Sequence, residues 1–212
     1  AAVSYKGDSA FYSIGNSYQF GFNAAGDRLA IGSNNYSLGA YGGLWITHYN
    51  YQTGKWPGAT AGNYAGVQAN RTRWYNDVPA NRFGVGAAFN AAGDKVAVSA
   101  GMSSAHSIVY IIEYNYGMNA WPGINGAGPQ TSDIYTAYYS GPRSLWFGTN
   151  LHFSTSGNRL MIGSVVANGA TTAIITILDR DPITGWPAVD PLNTPAYLTT
   201  LGGGVVSPYP NL

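Results

Sequence analysis

Large apolar side chains fall at every second position in short stretches of this chain, in Leu29-Ala-Ile and Val96-Ala-Val, and strand-like apolar runs with few polar positions follow in Leu44-Trp-Ile-Thr-His-Tyr and Ile108-Val-Tyr-Ile-Ile-Glu-Tyr. A period of two, carried by β-branched and aromatic residues, predicts strands. No stretch sustains the apolar spacing of three and four that a helix requires, and glycines interrupt nearly every window. The pattern therefore predicts an all-β chain.

The strand pattern repeats. Phe22-Asn-Ala-Ala-Gly-Asp-Arg-Leu-Ala-Ile-Gly32 aligns with Phe89-Asn-Ala-Ala-Gly-Asp-Lys-Val-Ala-Val-Ser99 and with Phe153-Ser-Thr-Ser-Gly-Asn-Arg-Leu-Met-Ile-Gly163, at offsets of 67 and 64 residues. A second anchor keeps step: Trp56-Pro-Gly58, Trp121-Pro-Gly123 and Trp186-Pro-Ala188 are each 65 residues apart. Phe22, Phe89, Phe153, Trp56, Trp121 and Trp186 are thus expected to be structural anchors of three equivalent units. The Ala-Gly-Asp and Ser-Gly-Asn steps provide a residue tolerant of positive φ followed by a turn-favouring side chain, which predicts a tight hairpin opening each unit. Gly-, Asn- and Ser-rich stretches at 33–43 and 100–106 lead to a third strand, and turns at 115–119 and 181–184 lead towards the Trp-Pro anchor. A fourth, less regular strand is expected to follow.

Four short strands per unit of about 65 residues suit a propeller blade better than a leucine-rich or helical solenoid, whose units are shorter or carry a helix. The expected architecture is a β-propeller-like array of three four-stranded blades at about 14–78, 79–142 and 143–205, forming one repeat domain over 1–212 and completed by another chain. A β-sandwich built from internal repeats is the structural alternative.

The aligned residues resemble the FG-GAP-like repeats of integrin-α-type propellers and of related secreted, algal and viral repeat proteins. The resemblance rests on Phe83-Gly84 and Phe147-Gly148 at the blade opening, on the Gly-Asp-Arg-Leu-Ala-Ile-Gly core, and on a later strand ending before Trp; it runs from about Ile14 to Trp186. In the first unit Phe20-Gly21 stands closer to the turn, which predicts a shifted opening strand there. The resemblance also implies a ring, usually of about seven blades. Three blades cannot close one, so two chains forming a six-bladed ring, stacking in a larger particle, or a fragment of a longer protein are the expected resolutions. Many members carry a calcium loop of alternating aspartates, which needs several hard oxygen ligands around one cation. At the equivalent turns this chain has Asn23-Ala-Ala-Gly-Asp27, Asn90-Ala-Ala-Gly-Asp94 and Ser154-Thr-Ser-Gly-Asn158, too few carboxylates for such a site. Neither a metal nor another cofactor is expected.

Composition narrows the setting. Charged residues make up only 9 % of the 212-residue chain, against roughly 25 % in average soluble domains, and glycine, tyrosine and small polar residues take their place. The predicted surface is neutral and hydroxyl-rich, as expected of an extracellular, cell-surface or virion-surface protein. A net charge of +1 gives no long-range field to attract nucleic acid. No apolar run approaches the roughly 20 residues that span a bilayer as a helix, so membrane insertion is not expected. The absence of cysteine rules out disulfides and thiolate chemistry. The chain opens at Ala1 without an initiator Met or a charged-then-apolar leader, consistent with a processed precursor or an excerpt.

Candidate chemistry is sparse. The chain offers His48, His106 and His152, one glutamate, Glu113, and eight aspartates. His48 and Glu113 fall in corresponding third strands and are expected in structural roles on different blades. Asp179 and Asp181 have the look of the paired carboxylates of a glycoside hydrolase, but Asp181 precedes Pro182 at an expected turn, which favours structure. No Gly-x-Ser-x-Gly elbow appears, and Gly202-Gly-Gly-Val lacks the lysine of a phosphate cradle. Catalytic residues are therefore not expected.

Functional residues are sought where the units differ. Arg71, Arg73, Trp74 and Tyr75 in the first connection, and Tyr138, Tyr139, Arg143 and Trp146 in the second, combine aromatic faces with guanidinium donors, a chemistry suited to ligand or partner contact and equally to packing between blades. Asn35-Tyr-Ser37 and Asn70-Arg-Thr72 are glycosylation sequons usable on a secretory route. These features predict a non-catalytic structural and adhesive protein acting through self-assembly or partner-protein contacts. A lectin-like carbohydrate-binding propeller is the alternative, and a secreted glycoside hydrolase a more distant one.

Overall fold

The computed structural model describes residues 21–33, 43–56, 71–75, 84–100, 107–117, 121, 137–141, 147–164, 174–186 and 199–201. Among the described residues there are strands and turns and no helix. β1 (Gly21–Phe22), β2 (Arg28–Ser33), β3 (Gly43–His48) and β4 (Arg71–Tyr75) form one sheet. β5 (Ala87–Phe89), β6 (Lys95–Ala100), β7 (Ser107–Glu113) and β8 (Ala137–Gly141) form a second, and β9 (Phe147–Phe153), β10 (Arg159–Ser164), β11 (Ile174–Asp179) and β12 (Thr199–Leu201) a third. Each is an open antiparallel meander whose spatial order follows the chain, and none closes into a barrel.

The ladders reproduce the sequence repeat residue for residue. Arg28 pairs with His48, Lys95 with Glu113 and Arg159 with Asp179; Phe22, Phe89 and Phe153 pair with Leu29, Val96 and Leu160. The opening strand of the first unit is in register after all, since Gly21 pairs with Ala30 as Ala88 pairs with Ala97. Phe20-Gly21 is simply not the counterpart of the other Phe-Gly pairs. Gly84 and Gly148 hold positive φ near 87° and 89°, which Gly21 does not share.

Each unit opens with the expected hairpin, its first two strands joined by five residues. In the first, the Asn23 N–H donates to Arg28 O and the Gly26 N–H to Asn23 O, both at 3.0 Å. The Asn23 side chain completes the turn: its Oδ1 accepts the Asp27 and Arg28 N–H groups at 3.1 and 2.9 Å, and its amide donates to Asp27 at 2.8 Å. Asn90 repeats this arrangement with Asp94 and Lys95, and the Ser154 hydroxyl takes the same place for Arg159 N–H. Polar side chains here accept backbone N–H groups that no strand partner can reach.

The three sheets stack through their faces. Because side chains alternate along a strand, the middle sheet presents two apolar surfaces. Val96, Val98 and Ile112 pack against Ala30, Leu44 and Ile46 of the first sheet, while Ala97, Val109 and Ile111 pack against Leu151, Leu160, Ile162 and Leu178 of the third. All of these are fully buried. At roughly 1.5–3 kcal/mol for each buried Val, Leu or Ile, these two layers are the dominant stabilising feature of the described fold.

Candidate functional site

Among the described residues, the two junctions between sheets are built alike. At each, the Trp of the later unit closes the apolar layer: Trp121 is 2 % exposed and belongs to the cluster shared with the first sheet, and Trp186, 7 % exposed, belongs to the cluster shared with the second. Phe89 packs at a tilt against Trp121, with ring centroids 6.0 Å apart, and Phe153 meets Trp186 edge-on at 6.1 Å. In the second unit Tyr114 meets Trp121 edge-on at 5.3 Å and Tyr116 at 5.2 Å, which extends the cluster to the surface. Such tilted and edge-to-face pairs are the favoured aromatic geometries.

A buried indole N–H needs an acceptor, and at both junctions the preceding sheet provides it from the same register position. Trp121 Nε1 donates to His48 Nε2 at 3.4 Å, and Trp186 Nε1 donates to Glu113 Oε1 at 3.0 Å. His48 and Glu113 are the last residues of β3 and β7. Around them the charges differ but remain complementary. At the first junction the Arg28 guanidinium lies 5.1 Å from the Tyr114 ring centroid and donates to the Gly93 carbonyl. At the second, Arg180 occupies the place of Tyr114 and forms an ion pair with Glu113 at 3.4 Å. Burial, reinforced by Arg28 and opposed by Asp27, holds the His48 imidazole below its ordinary pKa, so it accepts the indole N–H as a neutral ring.

The hairpin turns interlock as well. A side-chain carbon at Gly93 would stand 2.7 Å from the Asn23 amide nitrogen, and one at Gly157 would stand 2.6 Å from that of Asn90. The Ala24 N–H donates to Ala91 O at 3.3 Å across the first junction. Within the turn, burial acts to raise the Asp94 carboxyl, but the Asn90 amide and Lys95 outweigh it and leave the pKa below the usual carboxylate range. Asp94 is therefore an ionised turn residue.

The sequence-derived contact residues fall in two places. Arg71, Arg73, Trp74 and Tyr75 lie on β4, and Tyr138 and Tyr139 on β8, so these segments are the fourth strands of their sheets. Arg73 and Tyr138 stand opposite Trp45 and Tyr110, and Trp74 and Tyr139 opposite Leu44 and Val109. Segments that look unlike one another in sequence are thus equivalent positions of the repeat. Arg143, Trp146, Asn35, Asn70 and His106 lie outside the described residues.

The carboxylates raised as candidate acids have structural partners. Arg159 Nε and Nη2 donate to the two carboxylate oxygens of Asp179, and Asp181 accepts the Ile183 and Thr184 N–H groups at 2.7 and 2.8 Å. The Thr184 bond, then the Ile183 bond, lowers the Asp181 pKa, as in a side-chain-capped turn. His152 is exposed on β9. Among the described residues no group of three or more His, Asp or Glu is placed to hold a metal ion.

Sequence reasoning singled out His48 and Glu113 as equivalent without finding the indoles that bind them. The signal was present in the constant spacing: 73 residues separate His48 from Trp121 and Glu113 from Trp186. Comparisons of the chain with family models, with curated proteins and with solved structures find no match.

Proposed function

We propose that this chain is a non-catalytic structural and adhesive repeat protein of an extracellular or virion surface, whose three sheets are successive blades of a propeller-like array related to FG-GAP repeats. It works by assembling with copies of itself or with partner proteins. The observation that carries this reading is the use of the middle sheet: one face packs on the sheet before it and the opposite face on the sheet after it, through equivalent residues at both junctions. Packing of this head-to-tail kind is not self-limiting within three units; it propagates or closes only when further units are added.

The aligned Phe, Gly-Asp-Arg-Leu and Trp anchors support the family resemblance, and the low charge supports the surface setting. The ionisable side chains best placed for chemistry, His48, Glu113 and Asp179, each have a structural partner, which favours assembly over catalysis.

Light scattering on the purified chain across a hundredfold concentration range tests this reading. A discrete dimer or a larger assembly is expected. A strict monomer throughout overturns self-assembly as the mode of action.

A further inference from the structure

Two exposed tyrosines are held in the same pose in the first two units and have no counterpart in the third. Tyr51 and Tyr116 stand three residues beyond His48 and Glu113, the ends of β3 and β7, and are 71 % and 67 % exposed. Each ring is met edge-on by the tyrosine two residues earlier: Tyr49 and Tyr51 have centroids 5.1 Å apart, Tyr114 and Tyr116 5.2 Å. Each hydroxyl donates to the Oδ2 of a turn aspartate, Tyr51 to Asp27 and Tyr116 to Asp94, both at 3.4 Å. The Oδ1 of the same carboxylates accepts the Asn23 and Asn90 amides at 2.8 and 2.6 Å.

The third unit folds the same way without this pair. Asn158 stands there for the aspartate and Pro182 for the tyrosine, three residues beyond the end of β11. The backbone is nevertheless unchanged: Arg180 N–H donates to Asn158 O at 2.7 Å, as Tyr49 does to Asp27 O and Tyr114 to Asp94 O at the same distance. Gly157 N–H likewise closes its turn on Ser154 O, as Gly26 and Gly93 close theirs on Asn23 and Asn90. Tyrosine and aspartate are thus kept together in two units and replaced together in one, with no structural need for either. Being so exposed, the two rings add little to the buried apolar area.

Their chemistry points outward. A ring pinned at its edge and at its hydroxyl presents a flat apolar face to solvent with little freedom left to lose on binding. Beside it the carboxylate Oδ2 is engaged by a hydrogen bond that is long for two oxygens, and so is ready to accept a ligand hydroxyl. Arg28 and Lys95 follow the two aspartates in the chain, so each site is charge-balanced and has no preference for an ion. An apolar face beside neutralised acceptors suits a neutral sugar, which has C–H bonds on its ring face and hydroxyls at its rim. The two sites belong to adjoining sheets and are linked by Arg28, which follows Asp27 and lies 5.1 Å from the centroid of Tyr114, the ring supporting Tyr116. One saccharide chain engaging both would gain the advantage of multivalency.

We propose that Tyr51 with Asp27, and Tyr116 with Asp94, form two equivalent subsites for a neutral oligosaccharide, the ring stacking on a sugar face and the carboxylate accepting its hydroxyls. The inference rests on the adhesive part of the reading above and gives it a ligand class. It does not depend on self-assembly, which light scattering reads separately.

Isothermal titration calorimetry with neutral hexasaccharides of glucose, mannose, galactose and N-acetylglucosamine, one at a time, tests it. At least one is expected to bind with a Kd of about 0.1–1 mM, as suits a shallow site. Tyr51→Ala and Tyr116→Ala are each expected to weaken that binding about tenfold, and the double variant to abolish it, with thermal midpoints close to that of the wild type. Asp27→Asn and Asp94→Asn install the residue the third unit uses, keep the turn should a tyrosine variant fail to fold, and are expected to weaken binding several-fold. The subsites are overturned if no hexasaccharide binds at about 10 mM, or if the double tyrosine variant binds as the wild type does. Tighter binding of the acidic hexamer of galacturonate than of every neutral one overturns the ligand class. None of these results changes the mass read by light scattering, so the assembly reading stands or falls apart from them.

Discussion

His48 shows how much a single side chain's role depends on its neighbours. It is one of three histidines in the chain, and an imidazole beside Asp27 and Arg28 invites a catalytic reading. In the fold its Nε2 accepts the buried Trp121 indole, and protonation would convert that acceptor into a donor facing another donor. Burial first, and Arg28 second, depress its folded pKa below the ordinary value of about 6.5. The unfolded chain therefore takes up the proton first as pH falls. The stability His48 contributes is complete above about pH 6.5 and is lost as pH drops from there through the lowered folded value. Urea midpoints at pH 8 and pH 5.5 are expected to fall more for the wild type than for His48→Gln, and equal falls would exclude this role. Thr47, its neighbour, makes the opposite point. It occupies the position of Ile112 and Leu178, is 3 % exposed, and its hydroxyl has no hydrogen-bond partner. Thr47→Val restores the repeat's apolar choice and is expected to stabilise the chain by about 1 kcal/mol in denaturant titration.

At the scale of elements, the opening hairpin is the most repeated device in the chain, and its glycine separates local from tertiary requirements. Gly26, Gly93 and Gly157 all have φ near +70°, so alanine at any of them incurs about 1 kcal/mol of left-handed strain. Only Gly93 and Gly157 also lie under the asparagine of the preceding turn. Gly93→Ala and Gly157→Ala are therefore expected to lower the thermal midpoint clearly more than Gly26→Ala in the unassociated chain. Equal effects at all three would mean the interlock contributes nothing. The glycine itself was readable in the Ala-Gly-Asp step, because turn chemistry is local. The packing of one turn on the next was not, because it depends on a segment about 65 residues away.

Across the whole molecule, stability is expected to be greatest in the middle sheet, the one sheet whose two faces are both covered by described strands. Ile111→Ala is expected to cost about 2–4 kcal/mol, and Ile177→Ala, at the equivalent but half-buried position, well under half of that when the chain is unassociated. Native-state hydrogen exchange should accordingly be slowest in β6 and β7, and faster or equal opening at β2 and β10 would decide for or against this gradient. The amino-acid sequence alone determined the strand class and the three-fold repeat, because alternation, turn chemistry and self-similarity are written along the chain and need no knowledge of its contacts. It also brought out Arg71 to Tyr75 and Tyr138 to Tyr139, yet as differences between units rather than as the equivalent fourth strands they form. Tertiary structure decided which face of each sheet meets the next, that His48 and Glu113 receive indoles rather than substrates, and that Asp179 is held by Arg159. Those outcomes depend on contacts between segments about 20 to 73 residues apart, and alternation along a strand names two faces without saying which partner each will find.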